Sequence, residues 1–95
     1  MGLFDFFSSK SSKAKGMSDA ALLAQLKPII VDMLGVDEWE VVPQAELGND
    51  LGCDELDFQE LLLEIMNRLN YGIPPYENNN IITVGDIMRV IRKYN

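Results

Sequence analysis

Residues 51–69 read Leu-Gly-Cys-Asp-Glu-Leu-Asp-Phe-Gln-Glu-Leu-Leu-Leu-Glu-Ile-Met-Asn-Arg-Leu. Within them Asp54 is a short acceptor placed to cap a helix, and Glu55 and Asp57 put negative charge in its first turn, where the helix dipole favours it. Phe58, Leu62, Ile65 and Leu69 then recur at helical spacing, with Leu61 beside them, and define a core face. Leu56, Glu60, Leu63 and Asn67 fall on the opposite stripe, which leaves Leu56 and Leu63 in solvent among acids. Asn70, Gly72, Pro74 and Pro75 end the helix.

Moving toward the N-terminus, periodicity fails from Val36 to Cys53, and Pro43, Gly48 and Gly52 punctuate a long loop. Compact domains rarely hold such a loop without purpose. Val41, Val42 and Leu47 are its expected anchors, and Trp39, in Asp37-Glu38-Trp39-Glu40, is read as a further anchor, with a contact residue as the alternative. Before the loop, Leu22, Leu26, Ile29, Ile30 and Met33 mark another helix, with Ser18 as N-cap, Asp19 in the first turn and Gly35 as terminator. Pro28 interrupts that pattern, so either a kink or a helix starting close to Pro28 is expected.

On the other side, Ile73–Ile82 has room for one short helical turn among Asn78, Asn79 and Asn80. Thr83-Val84-Gly85-Asp86 is a capping-box opening with Asp in the place of Glu. Val84, Ile87, Ile91 and Tyr94 form the apolar stripe of the helix it opens, and Arg89, Arg92 and Lys93 lie late in it, where positive charge suits the dipole. The sum is an all-α fold: a small bundle of three main helices plus one short one, over residues 17–95.

Composition narrows the chemistry. With 95 residues there is one domain and little room for a deep enzyme cavity, while 47% apolar residues suffice for a core without metals or disulfides. The single cysteine, Cys53, fits a reducing compartment such as the cytoplasm. There is no histidine, no Cys/His cluster and no phosphate-cradling glycine loop, so neither a metal site nor an enzyme is expected. Residues 1–16 read as a flexible tail: Lys10, Lys13 and Lys15 against Asp5 give +2, and Leu3-Phe4-Asp5-Phe6-Phe7 is an apolar plug. The plug is too short for a secretory signal, and Phe6 stands where a myristoylation motif wants Ser or Thr. It would bury little area, so any membrane contact through it is weak. Residues 17–95 carry five basic and fourteen acidic groups, a net −9, which repels nucleic acid and attracts basic protein surfaces.

Three pieces, in this order and spacing, resemble the acyl carrier protein family: Ile29-Ile30 to Leu34-Gly35-Val36, Leu51-Gly52-Cys53-Asp54-Glu55-Leu56-Asp57, and Ile82-Thr83-Val84-Gly85-Asp86. The likeness runs from about Leu26 to Tyr94. It implies a monomeric four-helix carrier of fatty acid or polyketide biosynthesis, with phosphopantetheine on a serine between the signature's Asp and Leu. Here that position holds Glu55, and the last serine in the chain is Ser18. The attachment chemistry needs a hydroxyl nucleophile, so no cofactor is expected on this sequence.

Three readings of Glu55 follow: a tolerated first-turn acid, a partial imitation of phosphate charge, or a serine exchanged for glutamate in a true carrier. The resemblance further implies that Asp54, Leu56, Asp57, Glu60 and Leu63 form the face that meets basic surfaces of acyl-transfer or synthase-type partner enzymes, although charge rows are often only solvated helix sides. Met66 and Asn67 stand where the family often has acids. Cys53, near the helix start, reads as a small buried residue; an acyl-accepting thiol is the alternative, opposed by its acidic neighbours. An adaptor targeted to a surface by the tail remains a further alternative.

Overall fold

The computed structural model describes Ala14 and residues 16–95. Its first helix, α1, spans Asp19–Leu34. Ser18 caps it, Oγ accepting the Ala21 N–H at 3.1 Å, and Gly35 closes it at φ 68°, the left-handed conformation that glycine adopts without penalty. The helix does not begin near Pro28; it runs through it. Pro28 and Ala24 both lie on the exposed side, so the Ala24 carbonyl that loses its i+4 donor faces water, which offsets part of the cost.

Helix α2 spans Glu55–Leu69 and ends at Asn70, whose φ of 63° is the one positive value outside glycine among the described residues. Helix α3 spans Val84–Tyr94 and opens with the reciprocal box read from the sequence: Thr83 Oγ1 accepts the Asp86 N–H at 3.1 Å, and Asp86 Oδ2 accepts the Thr83 N–H at 3.0 Å. α1 packs against both α2 and α3. Leu22, Leu26, Ile30, Leu61, Ile65 and Ile87 are among the side chains sealed in the core. The short helical turn is Pro75–Asn80. A second one, Glu38–Glu40, lies inside the long loop and was not expected. Tyr94 departs from the apolar stripe of α3: it is 36% exposed, because its hydroxyl donates to Glu77 Oε2 at 2.6 Å.

Backbone hydrogen bonds explain the loop's length. Leu47 N–H donates to Ile82 O at 2.9 Å, Val84 N–H to Ala45 O at 3.0 Å, and Gly85 N–H to Pro43 O at 2.8 Å, so the loop is stitched to the opening of α3. A Cβ at Gly85 would sit 3.0 Å from the Pro43 carbonyl oxygen, a tight contact that glycine avoids. Val41, Ala45, Leu47 and Leu51 seal the loop onto the core. Cys53 N–H then donates to Leu47 O at 2.8 Å and delivers the chain to α2. No helix among the described residues is long and apolar enough to cross a membrane.

Candidate functional site

The start of α2 is where the loop and the second helix meet. Asp54 is the N-cap: its Oδ1 accepts the Asp57 N–H at 2.8 Å, and Asp57 Oδ2 accepts the Asp54 N–H at 3.4 Å. Glu55 is the first helical residue and is exposed. Among the described residues its side chain makes no hydrogen bond or ion pair. A surface groove of about 330 Å³ lies against it, lined by Leu47, Cys53, Phe58, Ile81 and Ile82. Glu55 therefore stands in solvent beside a groove of mixed lining, to which Glu46, Asn49 and Asp54 also contribute, and the cap that starts the helix is made without its side chain.

Cys53 lines the same groove. It is half-buried, and its thiol lies 3.6 Å from the Asp54 carbonyl oxygen. Burial pushes the thiol up to about 11, and the negative charges of Asp57 and Asp54 add to the shift. At neutral pH it stays protonated, which suits the small packed residue read from the sequence and disfavours an acyl-accepting thiolate.

Along α2, Leu56 is 64% and Leu63 57% exposed, with Glu60 exposed between them. Asp54 is exposed at the head of the helix, while Asp57 is half-buried, its carboxylate turned back toward the Asp54 amide. Met66 is half-buried and faces Ile73 and Pro75 across a groove of about 200 Å³; Asn67 is exposed. The expected anchor Trp39 is a correction: it stands 76% exposed on the Glu38–Glu40 turn. The turn is fixed without it, by Glu40 Oε2 accepting the Asp37 N–H at 2.9 Å.

The later hydroxyls are engaged elsewhere or stand apart. Tyr71 OH donates to Gln25 Oε1 at 2.8 Å, Thr83 caps α3, Tyr94 OH serves Glu77, and Tyr76 projects from the Pro75–Asn80 turn. No group of His, Cys, Asp or Glu among the described residues is placed to hold a metal ion. Sequence reasoning missed Glu77. It is 4% exposed and accepts from Tyr94, from Lys93 Nζ at 3.2 Å and from Asn80 Nδ2 at 3.0 Å. Nothing in Pro-Tyr-Glu-Asn-Asn-Asn marks that acid as internal, since two of its three partners, Lys93 and Tyr94, arrive from the far end of α3.

The described residues form a small helical bundle whose second helix has an acidic, capped start. No family model matches the chain. Over 73 residues it is 41% identical to an acyl carrier protein of Karelsulcia muelleri (strain GWSS), covering 77% of this chain and 88% of that protein. Over 71 residues it is 37% identical to an acyl carrier protein of Helicobacter pylori (strain J99), covering 75% of this chain and 91% of that protein. The chain belongs to the acyl carrier protein family.

Proposed function

We propose that this chain is a divergent acyl carrier protein that works by docking on partner proteins and carries no phosphopantetheine. The observation behind this reading is Glu55: the exposed first residue of α2 has a carboxylate where the family's attachment chemistry needs a hydroxyl. A carboxylate attacking coenzyme A would give a mixed acyl phosphate anhydride, which water hydrolyses, and not a stable phosphodiester. The residues at the helix start therefore do not fit the cofactor, and the remaining hydroxyls sit in caps or hydrogen bonds away from it or project elsewhere.

What remains is a recognition surface. Asp54, Leu56, Asp57, Glu60 and Leu63 offer acids flanking two solvent-facing leucines, a pattern that suits a basic surface with an apolar centre. The net −9 of residues 17–95 would speed encounter with such partners, the basic faces of acyl-transfer or synthase-type enzymes. The protein would act as a monomer in a reducing compartment such as the cytoplasm, regulating or scaffolding the system whose cargo it does not carry.

The test is intact mass after incubation with coenzyme A and a broad-specificity phosphopantetheinyl transferase, with the Glu55→Ser variant alongside. The expected result is no change for the chain and a phosphopantetheine gain for the variant. A gain on the unaltered chain would overturn the reading. If neither is modified, recognition by the transferase has diverged along with the residue.

A further inference from the structure

A second surface, away from the start of α2, is unassigned by the reading above and independent of it. Ala20, Leu23, Ala24, Lys27 and Pro28 share one outward side of α1 and, with Glu38 from the loop, line a groove of about 450 Å³. Two of its floor residues are alanines, so a ring can approach the helix closely, and Leu23 is only half-buried. At its loop end the groove reaches the acidic turn that carries Asp37, Glu38, exposed Trp39 and Glu40.

We propose that this groove is the docking site of the chain's own N-terminal plug, Leu3-Phe4-Asp5-Phe6-Phe7. The first argument is tether length. Arg92 fixes the segment just before α1, its Nη1 donating to Ala14 O at 3.3 Å and its Nη2 to Met17 O at 2.8 Å and to Asp19. From that anchor, the seven steps between Ala14 and Phe7 span up to about 23 Å when extended. That exceeds the roughly 10–12 Å diameter of a helix with its side chains, so the plug can pass around α1. The groove begins at Ala20, the second residue of α1, and ends about 12 Å further along it at Pro28.

The second argument is charge, and both signs match. The plug's one acid, Asp5, stands between Phe4 and Phe6, and Lys27 supplies an ammonium to the groove. The linker's Lys10 and Lys13 are drawn to a domain whose residues 17–95 carry a net −9. The third is effective concentration. A tether this short gives the plug an effective concentration on the order of millimolar, so even a weak intrinsic contact is occupied in cis. The plug then covers apolar surface that a long, free Phe-rich end would otherwise present to other molecules.

The full chain tests this by paramagnetic NMR. A nitroxide is attached at Ser8→Cys in a Cys53→Ala background, which leaves the plug intact. The amide signals of Ala20, Leu23, Ala24 and Lys27 should lose most of their intensity while that of Val90 in α3 keeps it. The loss should vanish in Phe4→Ser/Phe6→Ser/Phe7→Ser and also in Ala24→Arg, which fills the groove from an exposed helical position. Unaltered α1 intensities in the first sample would overturn the proposal. So would broadening in a mixture of spin-labelled and separately isotope-labelled chains, since that would make a second copy the occupant. A tail that leaves α1 unbroadened but responds to vesicles of anionic phospholipid would assign the plug to a membrane surface instead.

Discussion

Glu55 opens α2 with its side chain in solvent, whereas Glu77, in the Pro75–Asn80 turn, is 4% exposed and accepts hydrogen bonds from Tyr94, Lys93 and Asn80. One residue type is used in two opposite ways. A buried carboxylate is tolerable only when its lone pairs are filled, so Glu77 binds two segments of chain together. It ties the short turn to the last turn of α3, and the Tyr94 ring packs edge-on against Tyr76 at a centroid distance of 6.1 Å. Glu55 binds nothing within the described residues. The cap that starts α2 is made by Asp54 and Asp57 around it. The exposed first position of α2 is therefore not tied into the fold by any contact of its side chain among the described residues.

The contrast is broken most severely at Glu77. Glu77→Gln keeps the size but places amide N–H groups among donors from Tyr94, Lys93 and Asn80, leaving donors facing donors. Thermal unfolding followed by circular dichroism should show Tm lower by several degrees. Glu55→Gln in the same assay should leave Tm nearly unchanged. Equal melting temperatures for the two variants would mean that the Glu77 cluster adds nothing to the packing of the turn.

Acid sharpens the same comparison. The Tyr94 hydroxyl, then Asn80 and Lys93, hold the Glu77 carboxyl at about 2, against an ordinary value of 4.5. Because the folded value is depressed, the stabilisation is complete above pH 4.5 and is lost as pH falls from there through about 2. Urea midpoints measured from pH 6 down to pH 2 should fall more steeply for the unaltered chain than for Glu77→Gln, which lacks this proton uptake. Parallel curves would place the acid sensitivity elsewhere, Asp86 at the α3 cap being the next candidate because the Thr83 and Ile82 amides also lower its carboxyl.

The three helices were legible because local signals agreed: Ser18, Asp54 and Thr83 cap as their spacing to the following residues implies, and each apolar stripe starts where its cap ends. Exposure of Leu56 and Leu63 followed from the same periodicity. Three readings were harder. Pro28 looked disruptive because sequence does not reveal that the orphaned carbonyl faces water. Trp39 looked like an anchor by its size, yet a three-residue turn flanked by acids turns it outward. Glu77 was invisible because its burial depends on the register of α3 against a turn sixteen residues earlier, a tertiary fact with no local trace. At the site itself, the residues alone show that position 55 holds glutamate and that no serine follows Ser18. What structure adds is that Glu55 stands outside the cap.

That last point carries the smallest and most discriminating effect. Asp54→Ala removes the N-cap acceptor of α2 and should cost about 1 kcal/mol, within the roughly 0.5–2 kcal/mol range of such caps. Glu55→Ala removes a favourable dipole contact of about 0.3–1 kcal/mol and gains a few tenths from the higher helix propensity of alanine, so the net should stay below about 0.7 kcal/mol. Urea unfolding of both variants beside the unaltered chain resolves the difference, provided the slopes agree. A Glu55→Ala cost as large as that of Asp54→Ala would make Glu55 part of the fold. Position 55 would then serve the fold, and its residue could not be exchanged without cost to the helix that bears it.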